Sequence, residues 1–171
     1  MRRRLVIVAP TTAEAVRASG GWLFDRVMAG WDVLALVGDY LVNDARPLHI
    51  LGARAVELDA AMTSPIRGPR PHAIAVDAAL FDADRRVRKL VTRSIDEGLT
   101  EVLLWGERCP EELDGGMPSL EHRLSVAARA FKTQALAAAA APVDELDGTE
   151  VFHSGEVVPN PPGTPDLIPA A

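Results

Sequence analysis

The side chains best placed for chemistry lie at the ends of apolar runs. Leu5-Val6-Ile7-Val8-Ala9 is followed at once by Pro10, Thr11 and Thr12. A helix that starts there offers free backbone amides and two hydroxyls, a combination that holds a phosphate or carboxylate. Asp39 ends a second apolar run, where an acidic side chain binds a ribose hydroxyl in dinucleotide sites. Glu107 and Arg108 follow a further run after Gly106 and would supply the polar groups nearest a reacting centre. Thr11, Thr12, Asp39, Glu107 and Arg108 are therefore the candidate ligand-binding residues.

The standard phosphate motifs are missing. The first turn has no glycine, so neither G-x-G-x-x-G nor G-x-x-x-x-G-K-[ST] occurs, and the backbone has no bare stretch for a pyrophosphate. No G-x-S-x-G supports a serine nucleophile. Cys109 stands alone, which excludes an internal disulfide, and its neighbours Glu111, Glu112 and Asp114 would raise a thiol pKa instead of lowering it. His49, His72, His122 and His153 fall in separate elements with no metal-ligand spacing. No catalytic residue, metal or cofactor is expected. Ala9-Pro10-Thr11-Thr12-Ala13, followed by Gly20 and Asp25, resembles the A-P-A-T-A-N segment of the flavoprotein decarboxylases, which bind FMN. Glu14 stands where that family has asparagine.

The elements that would position these residues follow a strand–helix rhythm. Leu5 to Ala9 lacks alternation, as a strand buried on both faces does. Thr11 and Glu14 have capping-box spacing, which starts a helix over Ala13 to Ala29. Ser19-Gly20-Gly21 interrupts that helix, either for close packing or a kink or to let a ligand approach bare backbone. Asp32 to Gly38, Ala55 to Leu58 and Thr100 to Gly106 read as further strands, with a short helix over Ala45 to Leu51. The alanines in His72 to Phe81 favour helix there. A second helix runs from Ala83 to Glu97 after Asp82, and a last one from Pro118 to Ala141. Residues 59–71 form a long Pro- and Gly-bearing loop.

The fold class expected is α/β: a small Rossmann-like open sheet of about four parallel strands, order 3-2-1-4, with helices on both faces and a long C-terminal helix. The expected site is its switch point between strand 1 and strand 4. Residues 1–142 form the single domain, with 18 basic and 18 acidic side chains. Residues 143–171 carry the whole net charge of −6, contain five of the 13 prolines, with a sixth at Pro142, and read as a disordered tail.

A neutral body gives no footprint for nucleic acid. No apolar run approaches the roughly 20 residues of a membrane span. The chain reads as cytoplasmic, with a composition typical of high-GC bacteria. Trp22, Trp31 and the Ala-rich last helix suit contact surfaces. The function expected is therefore a non-catalytic protein that binds a protein partner or self-associates as a homo-oligomer. The alternative is a nucleotide- or phosphometabolite-binding protein or enzyme taking a small anionic ligand at the switch point.

Overall fold

Arg4–Ala9 (β1) is the spine of one mixed sheet, paired in parallel with Asp32–Val37 (β2) on one side and Ala73–Asp77 (β4) on the other. The computed structural model describes residues 1–63, 69–113, 117–143 and 146–155, and the backbone of 168–169. Arg54–Glu57 (β3) extends the sheet beyond β2, and Glu101–Trp105 (β5) extends it beyond β4. Then the direction changes. Thr149–Ser154 (β7) runs antiparallel to β5, followed by Ser119–Arg123 (β6) and the two-residue Ile168–Pro169 (β8). The order is β3-β2-β1-β4-β5-β7-β6-β8.

The pleat sends alternate β1 residues to opposite cores. Leu5, Ile7 and Ala9 join the helices Thr12–Met28 (α1), Arg46–Ile50 (α2) and Val126–Ala138 (α6). Val6 and Val8 join Leu58–Thr63 (α3), Ala78–Ala83 (α4) and Arg85–Glu97 (α5). A strand with both faces covered must be apolar throughout, which is why β1 shows no alternation.

The α/β open sheet with helices on both faces is present, and so is the order 3-2-1 of its first three strands; the expected fourth strand, Thr100 to Gly106, is β5 and is separated from β1 by β4. The sheet is larger than the four strands expected, for three reasons. His72 to Phe81 is not a helix: Ala73–Asp77 is β4, and helix α4 starts only at Ala78. Ala73 and Ala75 fall in the core that holds Trp22 and Leu23, while Ile74 and Val76 face the other core. Small residues against large ones decide the matter, and packing overrides propensity. Pro118 does not open the last helix either. Residues 119–123 are β6, and α6 begins after Ser125, whose hydroxyl accepts from Ala128 N at 3.0 Å. Finally, the stretch expected to be tail contributes β7 to the interior of the sheet, with Phe152 fully buried and 5.0 Å from the Trp22 ring. Residues 144–145, 156–167 and 170–171 of that tail, and the centre of the 59–71 loop, lie outside the described residues. Among the described residues no helix is long and apolar enough to cross a membrane.

Candidate active site

The carboxyl edge of the parallel strands brings the sequence-derived candidates into two groups. In the first, Thr11 caps α1, its hydroxyl accepting from Glu14 N at 3.0 Å. Thr12 donates its amide (2.9 Å) and its hydroxyl (3.2 Å) to Asp39 Oδ1, and Asn43 Nδ2 donates to Asp39 Oδ2 at 3.0 Å. Asp39 thus takes the anion position at the helix N-terminus and ties the β1 and β2 turns together. The segment that resembles the flavoprotein turn is engaged in this internal network.

The second group gathers around Arg17, one turn into α1. Its Nε and Nη2 meet both oxygens of Glu14 at 2.9 and 2.5 Å. Arg17 is held more firmly protonated than a free arginine. The Glu14 hydrogen bonds are the main cause, and the charges of Glu14, Asp77 and Glu107 add to them against the cost of partial burial. Of the three carboxylates only Glu14 bonds to the guanidinium; Asp77 and Glu107 act on it through their charge.

Asp77 was not among the expected site residues, because its strand read as helix. It is buried at the end of β4, where Oδ1 caps α4 through Ala79 N (2.8 Å) and Leu80 N (3.3 Å). Its Oδ2 accepts from Trp105 Nε1 at 3.2 Å, fixing the indole at the end of β5. The legible signal was an apolar run closed by an aspartate just before an Ala-rich turn.

Beyond Trp105 opens a cavity of about 450 Å³, within the range of small-molecule sites. Arg17, Trp105, Glu107 and Asp147 line it, together with Lys132 and Glu150. Glu107 is exposed at its mouth; Arg108 is exposed and is not among the lining residues. Thr11, Thr12 and Asp39 are not part of this lining either. The candidates separate into a turn that braces the edge and a cavity that includes only Glu107 of the five.

Lys132 and Glu150 are both buried. Lys132 Nζ donates to Glu150 Oε2 at 2.6 Å and to the Arg17 carbonyl at 2.7 Å. Glu150 accepts from Gly21 N (2.9 Å) and Trp22 N (2.6 Å). In a regular helix the Gly21 amide bonds to the Arg17 carbonyl, four residues back. Here the ion pair reaches both of those groups. α1 runs unbroken through Ser19-Gly20-Gly21, and the glycines serve close packing: a Cβ at Gly21 would overlap the Leu124 side chain packed on it.

Among the described residues no three His, Cys, Asp or Glu side chains are grouped as a metal ion requires. The histidines have separate partners: His122 Nε2 lies 2.8 Å from Asp25 Oδ2, His153 Nδ1 lies 3.4 Å from Ser119 Oγ, and His72 Nδ1 accepts from Arg4 N. Cys109 is half-buried, with Sγ 3.5 Å from Met117 Sδ.

No family model and no curated protein matches the sequence. Solved structures do match its fold. A triple mutant of the deacetylase Orf2 of teicoplanin biosynthesis is 14% identical, with a TM-score of 0.61, over 89% of this chain and 98% of that one. The A40926 pseudoaglycone deacetylase Dbv21 is 16% identical, also with a TM-score of 0.61, over 100% of this chain and 99% of that one. The conserved protein TT1542 of Thermus thermophilus is 16% identical, with a TM-score of 0.61, over 94% of this chain and 98% of that one. The chain shares its fold with these proteins. This corrects the expectation of a non-catalytic partner-binding protein: solved structures that match most of the chain include two deacetylases.

Proposed function

We propose that this protein is a hydrolase of the deacetylase type, working at the mouth of the cavity beyond β5. The observation that carries the reading is that Arg17, bonded through Nε and Nη2 to Glu14, and the carboxylate of Glu107 line one cavity of ligand size at the carboxyl edge. Open α/β sheets bind ligands at that edge. The deacetylase fold of the solved structures supports the reaction class.

In this reading an acetylated amine enters with its carbonyl oxygen toward Arg17. The guanidinium, kept charged by Glu14, stabilises negative charge as it develops on that oxygen. Glu107 takes a proton from water as the water oxygen bonds to the acetyl carbon. The C–N bond then breaks, and the proton passes from Glu107 to the leaving nitrogen. Acetate and free amine are the products.

The test is acetate release from a panel of N-acetylated amines and amino sugars. Wild-type protein should release acetate, and Glu107→Gln should lower kcat by about 10²-fold or more, the usual scale for a general base. Absence of release across the panel, or full activity in Glu107→Gln, contradicts the assignment.

A further inference from the structure

We infer that Lys132 and Glu150 are positioning residues that set where Arg17 stands on the cavity wall. The inference deepens the function proposed above and rests on it for its catalytic consequence. Three elements distant in sequence meet at this point: α1, α6 through Lys132, and β7 through Glu150. The contact to α1 is made on the carbonyl of Arg17 itself, at 2.7 Å, and on the amides of Gly21 and Trp22.

A helix interior needs no side chain to satisfy its amides and carbonyls, because each pairs within the helix. α1 is continuous through these residues, so the bonds to the buried ion pair come on top of its own ladder and tie this turn of α1 to α6 and β7. The seat of the Arg17 turn against its neighbours is thereby held by side chains of α6 and β7. Arg17, Lys132 and Glu150 also line the same cavity, so the pair lies under the residue it places. A buried ion pair contributes little net stability compared with an apolar pair of similar volume, and geometric definition is its best-supported use. Neither residue touches substrate in this account.

The experiment compares wild type, Lys132→Met, Lys132→Arg and the double variant Lys132→Met/Glu150→Leu. For each we would measure Tm, kcat and KM for acetate release, and the Arg17 Nε–H resonance by ¹H–¹⁵N NMR. The double variant removes both charges, so its Tm should return close to wild type. Its kcat should stay at least tenfold low while KM changes less than threefold, and the Arg17 resonance should move. Lys132→Arg, which keeps a donor for both partners, should restore part of kcat. A double variant that regains wild-type Tm and wild-type kcat together would overturn the inference, as would an unshifted Arg17 resonance. If wild type releases no acetate, the proposed function fails on its own, and the NMR shift still decides whether the pair positions Arg17.

Discussion

Lys132 Nζ and Glu150 Oε2 stand 2.6 Å apart, between the α1 carbonyl of Arg17 and the α1 amide of Gly21. Both side chains are buried, so removing one leaves its partner charged without compensation. Lys132→Met alone should therefore cost about 3–5 kcal/mol, while the double apolar replacement should come close to neutral. Denaturant unfolding of the three proteins checks this. Equal losses in the single and double variants would contradict it.

The bare backbone of α1 makes a second prediction. Gly21→Ala places a methyl group in the volume of Leu124, so it should destabilise by roughly 1–3 kcal/mol despite the better helix propensity of alanine. Gly20→Ala meets Leu51 and Val16 at 3.3 Å, a tight contact with movable side-chain ends, and should cost less. Leu124→Ala in the Gly21→Ala background should recover part of the loss, measured by thermal unfolding.

How far these features were legible follows from what decides each one. β1, α1 and its Thr11 cap, β2 and β5 rest on local signals: an apolar run, a capping box, a glycine stop. β4 does not, because Ala73 and Ala75 are poor strand formers that become right only beneath α1. β7 is harder still. Its strand pairs with β5 and β6 from within a stretch whose acidic and proline content reads as unfolded, and Glu150 looks like one more tail charge. Yet Glu150 is the acceptor that Gly21 and Trp22 use, 129 and 128 positions away. Of the five site candidates, Glu107 reached the cavity because strand ends are legible. Arg17, Asp77 and Lys132 were missed because their roles depend on partners brought by the sheet.

The pH dependence of stability should carry a signature of Glu101. Burial at the start of β5 pushes its carboxyl above the ordinary range, partly offset by Arg26. The folded state then binds a proton more tightly than the unfolded state. Its stabilisation is complete below the ordinary glutamate value and is lost as pH rises through the raised folded value. Glu101→Gln should match wild type near pH 4 and exceed it in Tm at pH 8. A larger gain at pH 4 than at pH 8 would reverse the sign and contradict this account.

At the β1–β2 turns, Asp39 accepts from both polar hydrogens of Thr12. Asp39→Ala should lose about 1–2 kcal/mol, the scale of a lost helix cap with an added charge–dipole contribution. Because Asp39 lies outside the cavity lining, kcat for acetate release should change by less than threefold in protein that remains folded. A selective loss of activity with unchanged stability would move Asp39 into the active site.

The central claim is that the group around Arg17 and Glu107 hydrolyses an acetyl amide. It is tested most directly by acetate release in single turnover with wild type, Glu107→Gln and Arg17→Met, each first shown to be folded by its unfolding transition. Acetate from wild type, with both variants reduced by about 10²-fold or more, is the predicted result. Acetate from wild type at a rate that neither substitution alters would contradict it.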